Sequence, residues 1–214
     1  MSAVAHITDY KKGKFYSDDY RGTMSWNGYE NNVLLRNEGR GEKGSLSFVD
    51  VAMALGADDI GDSRGIALVD FDNDGDLDLA VNHNPGDYGV ETAPARLLRN
   101  DIGHQRSWLA VELEGTTVNR DAVGAVVIIE TGDQSQMRLK SLGSSYASQH
   151  SARLYFGLGE AEQVDRLTVR WPGGGEEVFG TIDARQVVRI VQGQGHEVAP
   201  LPGTEKDPAE ALGP

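Results

Sequence analysis

The chain has 214 residues, 39% of them hydrophobic, with a formal net charge of −13, 27 glycines and no cysteine. The negative charge argues against a nucleic-acid partner, because binding to phosphates requires a basic surface. The lack of cysteine excludes disulfides and thiolate chemistry, and the length allows one large domain or two small ones. The abundance of glycine favours a turn-rich, mostly β fold over a helical one.

Residues 1–29 are predicted to form an amino-terminal extension. The first sixteen residues are polar and lysine-bearing, and they contain no apolar run long enough for a signal peptide or a membrane-spanning helix. From the sequence as written we expect a cytoplasmic protein that does not contact a membrane.

Short β-strands are predicted next, at residues 47–51, 65–71 and 77–81. Ala52–Leu55 allows a single helical turn. The segment LLRNE at residues 34–38 recurs as LLRND at residues 97–101. Repeats of comparable length are typical of propellers and solenoids, and a propeller blade carries about four strands.

The stretch DFDNDGDLD at residues 70–78 has the pattern of a calcium-binding loop. Calcium takes about six to eight oxygen ligands, which such loops supply from alternate positions when a glycine allows a sharp turn. Gly75 stands at that turn, and the predicted metal ligands are Asp70, Asp72, Asp74, Asp76 and Asp78. Asp76 would give its backbone carbonyl, and Asp78 would ligate directly or through water. The alternative is a solvated acidic turn, but clustered carboxylates repel one another unless a cation compensates them.

The loop differs from an EF-hand at its carboxy-terminal end. An EF-hand loop ends on a bidentate glutamate and continues into a helix, whereas the corresponding residue here is Val81, in a strand-like segment. We therefore predict a Ca²⁺ loop mounted between two β-strands.

Residues 105–193 alternate between apolar strands and glycine-rich turns, which predicts a small β-sandwich or barrel. The strand-like runs are at residues 109–113, 125–130, 137–140, 153–156, 167–171, 177–179 and 187–191. Residues 194–214 carry proline, glycine and acidic residues with little apolar content, so we expect a disordered acidic tail.

The polar turn of Asn119, Arg120 and Asp121 is a candidate ligand-binding loop, in which Arg120 would bind a carboxylate. A salt-bridged structural turn is the alternative. Tyr146 is a further ligand-binding candidate. No catalytic residue is assigned, because the serines beside Tyr146 are not in a G-x-S-x-G elbow and no acid partner can be placed.

Two stretches carry a resemblance to known families. Residues 65–79 resemble an FG-GAP or VCBS-type repeat, the unit of integrin-like β-propellers, whose blades bind calcium in this loop. The second half resembles the ASPIC/UnbV domain, on the phrases at residues 119–125, 143–149, 156–159 and 169–172. Together they resemble the cartilage-acidic-protein-like bacterial family. Its members are often secreted, and some are encoded in natural-product gene clusters, including those for enediynes.

The resemblance implies one blade at residues 30–104 followed by an ASPIC/UnbV-like β domain at residues 105–193. Relatives carry a propeller of several blades, whereas a lone blade leaves apolar faces exposed. We therefore expect a protein partner or self-association that completes the propeller; a small-molecule ligand is a further option. The predicted function is a calcium-stabilised, non-catalytic binding or assembly module. The alternative is an accessory enzyme of enediyne- or polyketide-type natural-product biosynthesis.

Overall fold

The computed structural model describes residues 31–41, 44–61, 63–83 and 95–200. Among these residues the structure is mostly β, as predicted, with one short helix, α1 (Ala52–Leu55), and one 3-10 turn, η1 (Gly103–Gln105). No helix in these ranges is long and apolar enough to cross a membrane. The chain forms two compact units: the first contains the described residues of 1–66 and 80–98, and the second those of 67–79 and 99–214.

The first unit contains a β-hairpin. Strand β1 (Leu35–Arg40) pairs antiparallel with β2 (Leu46–Asp50), and the register shifts between Asn37 and Gly39. The predicted helical turn α1 follows directly and ends at Gly56, whose left-handed φ of 69° is typical of a helix C-terminus.

A three-stranded sheet follows the hairpin in the chain. Its strands are β3 (Ser63–Val69), β4 (Asp78–His83) and β5 (Arg96–Leu98), in the order β3-β4-β5. A four-stranded blade sheet does not form within the part of the chain that the structure describes, so the propeller blade remains a prediction. Residues 67–79, which include the acidic loop, group with the second unit, and the domain boundary near residue 104 remains a prediction.

The second unit is built on two four-stranded sheets. Their strands are β6 (Ser107–Glu114), β7 (Val126–Thr131), β8 (Gln134–Leu139), β9 (Leu154–Gly159), β11 (Arg166–Arg170), β12 (Glu176–Phe179), β14 (Gln186–Val191) and β15 (Gly195–Val198). The strand orders are β12-β11-β7-β8 and β15-β14-β6-β9. The pairing of β14 with β6 is parallel, and the other pairings in these two sheets are antiparallel. A short pair, β10 (Gln163–Val164) with β13 (Ile182–Asp183), lies outside these sheets.

The two sheets share one hydrophobic core. Its largest fully buried side chains are Leu109, Ile129, Phe156, Leu167 and Ile190, which come from both sheets. Neither sheet closes on itself. The unit is therefore a sandwich, which decides between the two β architectures that the sequence left open.

Strand β6 is buried on both faces. Leu109, Val111 and Leu113 point into the sandwich core, while Trp108 and Ala110 belong to a second cluster with Val187 and Ala199, against which Tyr155 packs. Successive side chains of a strand point to opposite faces, so this second cluster lies on the outer face of the sheet. The outer face positions the acidic loop.

Part of the segment predicted as a disordered tail is a strand. Residues 195–198 form β15 instead of disordered chain, because their backbone pairs with β14, with Val198 opposite Val188. The polar composition of this stretch did not indicate a strand, because the pairing with β14 involves the backbone. The extension at residues 1–29 and the tail from residue 201 lie outside the described residues.

Candidate metal centre

The carboxylates of the acidic loop lie in two groups. Asp70, Asp72 and Asp78 each offer an oxygen within 4.8 Å of the others, and Asp74, Asp76 and His104 form a second group of the same size. The sequence predicted one set of ligands, and the structure brings three of the five aspartates together. The remaining two lie with a histidine that the sequence pattern did not include.

Asp70 is the most informative member of the first group. Its Oδ2 accepts hydrogen bonds from the backbone N–H of Gly75 at 3.2 Å and from the hydroxyl of Tyr155 at 3.1 Å. Its Oδ1 is buried without a hydrogen-bond partner among the described residues. Burial raises the pKa of the Asp70 carboxyl, and the Tyr155 hydrogen bond offsets part of that rise. A buried carboxylate oxygen without a partner is costly, and a bound cation would remove this cost.

Asp78 and Asp72 complete the group in different ways. Asp78 is fully buried, and its two oxygens accept the backbone N–H groups of Phe71 and Asn100, each at 2.8 Å. It therefore ties the start of the loop to the chain beyond β5. Asp72 is exposed and leaves the group open to solvent. Three carboxylates, one with a free buried oxygen, are the hard oxygen ligands that calcium prefers, so the residues fit the predicted ion.

The second group is centred on the ring of His104. Its Nδ1 lies 2.9 Å from Oδ2 of Asp74 and 3.0 Å from Oδ2 of Asp76. The backbone N–H of His104 also donates to Oδ2 of Asp76, at 2.9 Å. Hydrogen bonding to Asp76 is the main cause of the raised pKa of His104. Oδ1 of Asp76 is buried and has no hydrogen-bond partner among the residues described.

The loop packs on the outer face of the sandwich. Gly75 has a φ of +100°, and a Cβ added there would lie 1.8 Å from Cε2 of Trp108. Arg153 donates from Nη1 to Oδ1 of Asn73 at 2.9 Å and from Nε to Oε1 of Glu112 at 2.7 Å. Glycine at position 75 provides both the left-handed turn and the space that the indole of Trp108 fills.

Replacing Tyr155 with phenylalanine will lower the free energy of unfolding of the metal-free protein by about 1.5 kcal/mol, as expected for a hydrogen bond to a charged group. Burial raises the pKa of Tyr155 to about 12, so its hydroxyl remains a donor to Asp70 at neutral pH. Urea denaturation in the presence of a chelator measures the change. Tyr146→Phe is the matched control, because Tyr146 is 74% exposed. Equal effects of the two substitutions would contradict a role for Tyr155 in holding the loop.

The predicted ligand-binding turn has a structural role at its first residue. Oδ1 of Asn119 accepts a hydrogen bond from the backbone N–H of Val123 at 2.7 Å, and Nδ2 of Asn119 donates one to the carbonyl of Val123 at 3.0 Å. These two hydrogen bonds close the turn. Arg120 and Asp121 line a groove of about 390 Å³, together with Glu112, Leu113, Glu114 and Arg189.

Most side chains that line this groove are charged. Glu114 forms an ion pair with Arg189, and it lies 3.9 Å from Nε of Arg120. These contacts favour the structural interpretation of the turn, while its role in ligand binding remains a prediction. Tyr146 is not among the residues that line the groove.

Several residues of the centre were missed from the sequence, namely Trp108, Arg153, Tyr155 and His104. No local pattern marks them, because each lies outside the acidic stretch and reaches it through the fold of the second unit. His83 is 4% exposed, and neither ring nitrogen has a hydrogen-bond partner among the described residues.

Comparison with known proteins finds similarity to one described family and to three curated relatives. Residues 115–197 match the family model described as ASPIC and UnbV. A stretch of 115 residues is 31% identical to cartilage acidic protein 1 of Xenopus tropicalis and 30% identical to the Homo sapiens and Mus musculus proteins of that name. The match covers 53% of this chain and 16–17% of the length of each relative. The resemblance of residues 65–79 to an FG-GAP or VCBS repeat remains a prediction from the sequence.

Proposed function

We propose that this chain, whose residues 115–197 form an ASPIC/UnbV domain, is a calcium-stabilised binding or assembly module. The observation that carries the proposal is the buried, unpartnered Oδ1 of Asp70 within a group of three carboxylates. That arrangement is costly in the absence of a cation and favourable in its presence.

Asp70, Asp72 and Asp78 would hold the calcium ion, and Asp74 and Asp76 remain predicted ligands from the same loop. The ion would neutralise the carboxylates. It would also place positive charge beside Oδ1 of Asp70, which has no hydrogen-bond partner among the described residues. Asp78 transmits the effect, because its hydrogen bonds to Phe71 and Asn100 link the ion to both sides of the loop. The chain's own contribution is to orient these carboxylates, through Tyr155 on Asp70 and through Trp108 beneath Gly75.

Two grooves on the sandwich suit a binding role better than catalysis on an apolar substrate. Small-molecule sites are mostly apolar pockets with a few converging polar groups. The 390 Å³ groove and a neighbouring groove of about 270 Å³ share Glu114 and Arg189 and are lined mainly by polar or charged side chains. Both are more polar than a pocket for an apolar polyketide-type substrate would be.

The hairpin β1–β2 supplies the surface for a protein partner. Leu35, Leu46 and Phe48 share one face of it and are 58%, 57% and 51% exposed. An isolated two-stranded hairpin is marginally stable in water. The exposed apolar side chains of the hairpin would therefore be covered by another protein chain. We take a second copy of this chain as the partner, because self-association can be measured with the purified protein alone.

Replacing Phe48 with serine will weaken self-association by at least about tenfold, since burying a phenylalanine side chain contributes about 1.5–3 kcal/mol. Light scattering coupled to size-exclusion chromatography, over a range of concentrations, measures the change. Met137→Ser, in the second unit, is the control, because Met137 is also exposed (62%) but lies away from the hairpin in the sequence. A compact monomer at every concentration, with Phe48→Ser as stable as the parent, would count against this interface.

A further inference from the structure

We propose that strand β8 (Gln134–Leu139) is a strand-addition site for an extended segment of a partner protein. The partner segment carries an acidic residue between two apolar residues. In the sheet order β12-β11-β7-β8 this strand is the last, so within the part of the chain that the structure describes it pairs only with β7. The site includes neither the acidic loop nor the hairpin β1–β2, so the inference goes beyond the function proposed above.

The backbone pairing determines which groups of β8 face the open edge. Strands β7 and β8 are joined by a tight turn, in which Thr131 is opposite Gln134. The pair that closes such a hairpin is hydrogen-bonded, and bonded pairs alternate with non-bonded pairs along an antiparallel ladder. Every second residue of β8 therefore directs its N–H and C=O groups away from β7, namely Ser135, Met137 and Leu139. The N–H of Lys140 agrees with this pattern, because it donates to the carbonyl of Ala125 at 2.8 Å.

Strand β8 is the least protected edge of the two sheets. It contains no proline, and its six residues pair with β7 without a register shift. The edge strands β12 and β15 have four residues each. At the edge strand β9, the carbonyl of Gly157 already accepts a hydrogen bond from Nε2 of Gln136 at 2.7 Å. A long, regular edge is the kind of strand to which a segment of another chain adds.

The side chains of β8 indicate apolar residues in the partner. Cζ of Arg138 lies 5.3 Å from the ring centroid of Phe156, a core residue, so Arg138 is on the inner face of the sheet. Side chains alternate along a strand, which puts Met137 and Leu139 on the outer face, where they are 62% and 58% exposed. Side chains opposite each other in an antiparallel pair lie about 4.5–5.5 Å apart. Apolar residues of an added strand opposite Met137 and Leu139 would cover both.

Arg138 indicates an acidic residue between those two apolar residues. It is exposed and donates from Nη1 to the carbonyl of Met137 at 3.0 Å, but it has no acidic partner among the described residues. By contrast, Arg153 and Arg189 of the same unit each form an ion pair. Opposite charges facing each other across a strand pair stabilise it, and like charges destabilise it. A partner strand with Asp or Glu opposite Arg138 therefore fits this edge.

Fluorescence anisotropy of labelled synthetic peptides tests the site on the full chain. The probes are the peptide Ser-Thr-Val-Glu-Val-Thr-Ser, capped at both ends, and the same peptide with lysine in place of glutamate. We expect the glutamate peptide to bind at least about threefold more tightly. The net charge of −13 acts in the opposite direction, because it attracts the lysine peptide. A preference for glutamate must therefore come from a local cation.

Two substitutions assign the binding to β8. Arg138→Glu will reverse the preference between the peptides. Arg166→Glu is the matched control and will keep the preference, because Arg166 is an exposed arginine on β11, which is not at the open edge. Met137→Pro removes a donor from the open edge and leaves the hydrogen bonds to β7, so it will weaken binding of the glutamate peptide at least about tenfold.

Amide hydrogen exchange, measured by NMR on the parent chain, locates the bound peptide without a substitution. Saturating glutamate peptide will slow exchange at Met137 and Leu139 at least about tenfold, while Gln136 and Arg138, which already donate to β7, will change less than about twofold. No binding, a preference for lysine, a glutamate preference that survives Arg138→Glu, or unchanged exchange at Met137 and Leu139 would overturn the site. Self-association that Met137→Pro abolishes would assign β8 to a second copy and overturn it too.

Discussion

Saturating calcium will raise the melting temperature of this protein by about 5–10 °C, and Asp72→Ala will remove the rise. A ligand at about a hundred times its dissociation constant stabilises the folded state by about 2.7 kcal/mol, and each kcal/mol corresponds to about 2–4 °C in a chain of this size. The physical source is the group of Asp70, Asp72 and Asp78, in which the ion would pair a buried carboxylate oxygen. Differential scanning calorimetry in calcium and in chelator measures the shift.

Asp72 is the best position for this test. It is exposed, so its replacement leaves the buried hydrogen bonds of Asp70 and Asp78 in place. Asp133→Ala is the control, because Asp133 is an exposed aspartate in the turn between β7 and β8. Identical melting curves in calcium and in chelator would count decisively against the calcium site.

Gly75→Ala will destabilise the protein by about 2–5 kcal/mol and will weaken the calcium response. The left-handed backbone at Gly75 costs a non-glycine residue about 1–2 kcal/mol, and overpacking adds about 1–3 kcal/mol. The overlap is severe here, because the new Cβ would lie 1.8 Å from the Trp108 indole. The loop must then move away from the sheet, which displaces the Asp70 and Asp76 carboxylates. Urea denaturation with and without calcium measures both effects.

Gly174→Ala is the matched control for this substitution. Gly174 has a φ of +106°, close to that of Gly75, but nothing lies within 4 Å of the position that its Cβ would take. The difference between the two variants therefore isolates the contact with Trp108 from the cost of backbone strain. Equal destabilisation, with the calcium response intact in both, would mean that the loop does not depend on its packing against β6.

Together these two results would link metal binding to the stability of the sandwich. The acidic loop belongs to the same compact unit as β6 and β9. The loop contacts Trp108 on β6, Tyr155 on β9 and Arg153, the residue directly before β9. Calcium would thus stabilise the unit whose residues 115–197 match the ASPIC and UnbV model, as well as the strands that flank the loop.

Much of the architecture follows from the sequence alone. The alternation of apolar residues in β6 and the β-branched run of β7 identify strands, because side chains on one face of a strand meet the core and those on the other face do not. The short helix α1 lies where it was predicted. The acidic stretch likewise marks its own position, since carboxylates at alternate positions with a central glycine form a local pattern.

The tertiary structure decided the rest. It grouped Asp74 and Asp76 with His104 and placed the loop on the outer face of the sheet. It also gave a sandwich of two open sheets instead of a closed barrel, and it paired residues 195–198 with β14. These features depend on contacts between residues far apart in the chain. Local propensity and spacing specify which segments are extended and where charge accumulates. Which distant side chain meets that charge is set by packing, because only the folded chain brings Trp108, Tyr155 and His104 to the loop.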